Sequence, residues 1–132
     1  MVNYPKHLSG FPYVGLHRYF LTFCTHEREP LFRDGKVVLL AWTQILRAAA
    51  MHTFDVTAYC FMPDHVHLVV EGREETSDFR RFASTAKQYS GFEYSRMNKR
   101  QKLWQRYSYE RVLRTNESTQ NGGALRAGES RA

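Results

Sequence analysis

Two histidines one residue apart, His65 and His67, are the residues whose types and spacing could do chemistry. They lie in the run His65-Val66-His67-Leu68-Val69-Val70, whose β-branched character reads as a strand. Residues two apart in a strand project to the same side, roughly 6.5–7 Å from each other. Both imidazoles can therefore reach one divalent ion while Val66 and Leu68 face the opposite layer. Spacing alone is not decisive. His-x-His pairs are common, and on that ground alone the plainer reading, two exposed strand histidines without metal, is preferred. Cys24 and Cys60 are isolated from each other, with no Cys-x-x-Cys pair, and read as small core residues rather than a disulfide or metal site. His7, His17, His26 and His52 have no comparable spacing.

The elements that must position this pair flank it in sequence. Residues 1–16, with Pro5, Gly10, Pro12 and Gly15, read as an irregular lead-in. His17 to Thr25 alternates as a strand with Tyr19, Leu21 and Phe23 on one face. Val38, Trp42, Ile45, Leu46 and Ala49 repeat at helical spacing over about Lys36 to His52, with Asp34 as a cap. Phe54 to Phe61 reads as a second strand, and Met62-Pro63-Asp64 as the turn that returns the chain into His65 to Val70. Thr76 to about Asn98 reads as a long helix burying Phe79, Phe82, Ala83, Ala86 and Met97, and Leu103 to Leu113 as a final strand region. Thr115 to Ala132 is polar and is expected to be a disordered tail. Strand, helix, strand, strand, helix, strand is most simply buried as an α+β, ferredoxin-like or RRM-like sandwich: an antiparallel sheet with two helices on one face.

The chain has 132 residues, 42% hydrophobic and 24% charged, which suits one domain with a single core. Its longest apolar run, Val37 to Trp42, is too short for a membrane span, and Met1 to Phe20 does not read as a signal peptide, so a cytoplasmic protein is expected. The formal charge is +6 and the isoelectric point about 9.5. Between Arg96 and Arg114 seven basic residues face one acid, Glu110. Such a surface favours polyanions through phosphate neutralisation. Arg80, Arg81, Lys87, Arg96, Lys99, Arg100, Lys102 and Arg106 are the candidate phosphate contacts. Phe92, Tyr94, Trp104 and Tyr107 are candidate base platforms, with Trp104 more at home in the core.

The stretch Tyr59-Cys60-Phe61-Met62-Pro63-Asp64-His65-Val66-His67-Leu68-Val69-Val70 closely resembles the HUH signature of single-tyrosine transposases, the REP-associated tyrosine transposases in particular. Further resemblance lies at His17 to Phe32, at Phe79 to Tyr89 and at Leu103 to Arg114, so that it spans roughly residues 17–116 and makes 17–114 the transposase-like domain. The resemblance implies an RRM-like core that works as a homodimer. It implies that His65 and His67 hold Mg²⁺ or Mn²⁺ beside the scissile phosphate of single-stranded or hairpin DNA. It also implies a tyrosine that forms a 5′-phosphotyrosine link, splitting strand exchange into two transfers.

The sequence departs from that pattern in one respect. Relatives carry the nucleophilic tyrosine on a further helix after the segment matching Val112-Leu113-Arg114, whereas Thr115 to Ala132 contains no tyrosine and no amphipathic pattern. A truncated or inactive form is the expectation. Another tyrosine (Tyr89, Tyr94, Tyr107 or Tyr109) as nucleophile and a functional binder that does not cleave are the other readings. Two further classes are weighed. A non-catalytic single-stranded nucleic-acid-binding module would use the same sheet, but the RRM aromatic signature is missing. A zinc hydrolase is disfavoured because no third ligand stands at a recognisable spacing.

Overall fold

The structure, a computed structural model, describes residues 11–113, so most of the expected lead-in and the whole of the expected tail lie outside the described residues. The elements are β1 (Arg18–Cys24), α1 (Gly35–Met51), β2 (Phe54–Met62), β3 (His65–Gly72), α2 (Phe79–Met97) and β4 (Tyr109–Leu113), with two single 3₁₀ turns between β1 and α1. They form the expected α+β sandwich, one four-stranded sheet in the order β2-β3-β1-β4 with every pairing antiparallel. α1 and α2 cover one face.

β3 lies in the middle, paired on both sides, and its burial alternates strictly: Val66, Leu68 and Val70 are fully buried while the residues between them are half-buried. On β1 the same rule sends Tyr19, Leu21 and Phe23 into the helix-covered core. Ile45, Ala48, Phe79, Phe82 and Ala86 close that core from the helices. Both helices begin at aspartates. Asp34 accepts from the Lys36 N–H at 2.9 Å and Asp78 from the Arg81 N–H at 3.2 Å, each satisfying a donor the helix leaves unpaired.

Three departures from the sequence reading have physical causes. The long helix starts at Phe79 rather than near Thr76, because Ser77 is drawn out of it: its hydroxyl donates to the Thr53 carbonyl and accepts from the Glu74 N–H. Met97, expected on the buried face, is 64% exposed in the last turn of α2. The final strand is only Tyr109–Leu113, since Leu103 and Trp104 are pulled inward as core side chains. The Trp104 indole N–H donates to Ser90 Oγ at 2.8 Å, and a single bridge ties Trp104 to Thr25.

Two backbone details bear on the frame. Gly72 ends β3 against the Gly15 carbonyl oxygen, with which any Cβ at position 72 would collide. Tyr19 is stacked on Phe79 at 4.0 Å, and its buried hydroxyl has no hydrogen-bond partner among the described residues. Burial of that phenol also raises its pKa. An unsatisfied buried donor costs on the order of 1–3 kcal/mol, whereas the ring carries the packing. Tyr19→Phe is therefore expected to melt a few degrees above the parent protein, and Gly72→Ala well below it, both read by thermal denaturation.

Candidate metal centre and nucleic-acid surface

The face of the sheet away from the helices carries the histidines. His65 stands opposite Met62 of β2 and Cys24 of β1, and His67 opposite Cys60 and Thr22. Their rings lie 4.7 Å apart, centroid to centroid, at 71°. Each Nδ1 is already engaged. His65 Nδ1–H donates to Asp64 Oδ1 at 2.7 Å, and His67 Nδ1 lies 2.9 Å from Thr22 Oγ1. The carboxylate fixes the His65 proton on Nδ1 and leaves the Nε2 lone pair for a ligand; the Thr22 hydroxyl accommodates the same tautomer at His67.

Asp64 is itself held. Arg28 Nε donates to its Oδ2 at 3.0 Å, and the Asp64 carbonyl accepts from both the N–H and the hydroxyl of Thr25. Arg28 reaches it from a turn in which Glu27 and Arg28 both take left-handed backbone (φ 54° and 57°), strain that is tolerated where the surroundings over-determine it. The His65 hydrogen bond first, and the Arg28 bond second, hold the Asp64 carboxyl below the usual carboxylate range. Burial, then repulsion from His65, lowers the pKa of His67, which disfavours protonation of the ring. Phe20 stacks on His67 at 5.2 Å and Arg111 of β4 lies 5.7 Å over Phe20, placing an exposed cation on the histidine face.

Tyr109 shares this face, because it pairs with Thr22, the residue that also pairs with His67. Tyr13 and Tyr19 are in the core, Tyr59 stacks on Trp42 on the helix side, and Tyr89 and Tyr94 belong to α2.

A divalent ion fits this donor set as far as the set extends. Two imidazoles with engaged Nδ1 atoms can take a divalent ion through Nε2, provided that oxygen donors complete the shell. Among the described residues no group of three histidine, cysteine or carboxylate side chains is arranged to hold a metal. The remaining positions would thus fall to water or to the oxygens of a bound anion.

The structure separates the basic residues proposed from sequence. Arg80 and Arg81 open α2: Arg80 lies over Tyr13 at 4.7 Å and Arg81 pairs with Asp78. Sixteen residues of helix, roughly 24 Å, separate Arg80 from Arg96. Arg96, Lys99, Arg100, Lys102 and Arg106 gather instead at the other end of α2, beside the Pro63–Asp64 turn, since the loop after α2 bridges to Thr25 and Thr25 binds Asp64. Lys87 points inward. Its ammonium donates to the carbonyls of Gln105 and Arg106 at 2.9 and 3.0 Å, and burial lowers its pKa to about 8. Of the aromatic candidates, Tyr94 and Trp104 are buried while Phe92 (64% exposed) and Tyr107 are open.

Thr22, Arg28 and Arg111 were not singled out from sequence. Thr22 follows from the alternation of β1, and Arg111 from its place in the basic run. Nothing local in the sequence pairs Arg28 with Asp64.

The sequence model of the family described as "Transposase IS200 like" matches residues 13–120. No curated protein matches the chain. Two solved structures share the fold. One is a REP-associated tyrosine transposase bound to a REP hairpin (TM-score 0.65, 18% identity, 92% of this chain and 66% of that one). The other is a Deinococcus radiodurans R1 protein assigned as a transposase (TM-score 0.64, 20% identity, 87% of this chain and 92% of that one). The chain thus spans just under two thirds of the length of the first. No described helix is long and apolar enough to cross a membrane.

Removing the group that orients a metal-binding imidazole costs about 10–100-fold in affinity. Asp64→Ala is expected to weaken Mn²⁺ binding by that factor in calorimetry; unchanged affinity would show that the carboxylate orients nothing. Because the folded pKa of His67 lies below its ordinary 6.5, unfolding takes up a proton as the pH falls. Stability from this ring is complete above 6.5 and declines on acidification below it, and Mn²⁺ affinity falls in the same window.

Proposed function

The chain belongs to the IS200-like transposase family, and from that premise we propose that it binds single-stranded or hairpin DNA on the histidine face of its sheet, with a divalent ion held by His65 and His67 against a backbone phosphate. The observation that carries this reading is the pair of imidazoles standing side by side with both Nδ1 atoms occupied and both Nε2 atoms available. A bound Mg²⁺ or Mn²⁺ would supply positive charge to phosphate oxygens. Arg111, on the same face, adds a fixed cation for a neighbouring phosphate, and the Arg28–Asp64 pair keeps His65 oriented. The hairpin in the related structure supports the choice of polymer.

Covalent strand transfer needs a tyrosine at the phosphate. Among the described residues, Tyr109 is the tyrosine that strand pairing brings to the histidine face. Our reading assigns the described residues metal-assisted DNA binding, and makes Tyr109 the described residue to which a covalent link would map.

The test is to incubate the protein with a labelled DNA hairpin and Mn²⁺, follow retention by gel shift, and look for an adduct that survives denaturant. Expected is a metal-stimulated, salt-sensitive complex, weakened by His65→Ala and His67→Ala, with no adduct. An adduct lost in Tyr109→Phe and in His65→Ala would replace the binding-only reading with an active strand transferase. Binding indifferent to both Mn²⁺ and the histidines would overturn the metal site and favour the plain nucleic-acid-binding module.

A further inference from the structure

Beyond the end of α2, the chain turns sharply through Asn98, Lys99 and Arg100. Lys99 and Arg100 take left-handed backbone (φ 54° and 66°), and the Arg100 N–H closes the turn on the Ser95 carbonyl at 2.7 Å. This turn wraps a cavity of about 490 Å³ lined by Phe92, Ser95, Arg96, Lys99 and Arg100. On the other side of Phe92 lies a second hollow of about 360 Å³, reached by Lys102 and Arg106 and floored by Trp104. Both volumes fall in the range of small-ligand sites, roughly 300–1,000 Å³.

Phe92 is the shared wall, and 64% of it is exposed. A large aromatic side chain in that position contributes little to the core. Its neighbours on both sides are cations. Arg96 is shared with Glu93, 2.8 Å away, but Lys99, Arg100, Lys102 and Arg106 have no ion-pair partner among the described residues. A flat apolar ring between two groups of unpaired positive charges complements a ligand that alternates π-faces with negative charges. Single-stranded polynucleotide has that composition; an acidic peptide supplies the charge without the rings.

The Lys87 ammonium anchors the second wall. It ties α2 to the Gln105 and Arg106 carbonyls and so fixes the loop that carries Lys102 and Arg106.

We propose that the paired hollows about Phe92 form a second, metal-independent binding site for unpaired nucleotides, in which a base stacks on Phe92 while Lys99 and Arg100 on one side and Lys102 and Arg106 on the other hold the flanking phosphates. The proposal rests on the reading that the chain takes single-stranded DNA, yet it does not require the histidine site. It assigns the strand a grip at the helix end in addition to the contact on the sheet face.

The test uses the full chain and a fluorescein-labelled dT12 in EDTA, followed by polarisation. EDTA silences any contribution of a divalent ion, so failure of the histidine reading and failure of this one are separable. Wild type is expected to bind, and Phe92→Ala to bind about tenfold more weakly, the loss of one stacked base. Phe92→Trp should restore binding. In Lys99→Ala/Arg100→Ala the slope of log affinity against log salt should fall by about 1.4, near 0.7 for each phosphate contact released. Circular dichroism and melting of each variant confirm that it is folded, as expected for an exposed position. The proposal is overturned if wild type does not bind dT12 in EDTA, or if Phe92→Ala binds as wild type does. Competition by polyglutamate as effective as unlabelled dT12 would likewise overturn it, in favour of an acidic polypeptide partner.

Discussion

The period of two along β3 is the constraint on which the rest of this structure depends. Val66, Leu68 and Val70 are wholly buried beneath the helices, and His65 and His67 can face outward together only because those three face inward. The strand is clamped from both sides, by β1 and by β2, so a slip of one residue would bury both imidazoles and expose three apolar side chains. At about 1.5–3 kcal/mol for each large apolar side chain, the core fixes the register far more firmly than any single polar contact could. The chemistry of the outer face is thereby set by the packing of the inner one.

On β2 the same logic needs a correction within the strand. Phe54 and Val56 face the helices, and so do Tyr59 and Phe61, although the two pairs are of opposite parity. A bulge between Val56 and Ala58 absorbs the change, with the Thr57 hydroxyl donating to the Val69 carbonyl at 3.2 Å. Beyond the bulge Cys60 and Met62 come to the histidine face, where they flank His67 and His65. The charge pattern is likewise shaped by topology. α2 runs back across the sheet, so cations close together in sequence at its C-terminal end meet the turn that carries Asp64, while Arg80 and Arg81 are carried to the far end.

Much of this was legible in the sequence because it depends on periodicity. The order of elements, the inner faces of β1 and β3, the Asp34 cap and the shared side of His65 and His67 all follow from spacing. What escaped depends on contacts between distant segments. Leu103 and Trp104 look like strand residues by type, and only the place waiting for the indole between Ser90, Phe23 and Phe32 makes them part of a core-filling loop. Lys87 looks like a surface cation until the 105–106 carbonyls are placed above it. Arg28 is joined to Asp64 by a strained turn that no local pattern announces. Among the aromatic residues, composition named four platforms and burial leaves two, Phe92 and Tyr107.

The proposed metal site requires both rings to offer an unprotonated Nε2 to one bound ion. Two-dimensional NMR of ¹⁵N-labelled imidazoles near neutral pH tests it directly. The account predicts the Nδ1–H tautomer at His65 and at His67, and paramagnetic broadening of both rings by substoichiometric Mn²⁺. Protonated Nε2 atoms at either residue, or broadening that spares one ring, would contradict it.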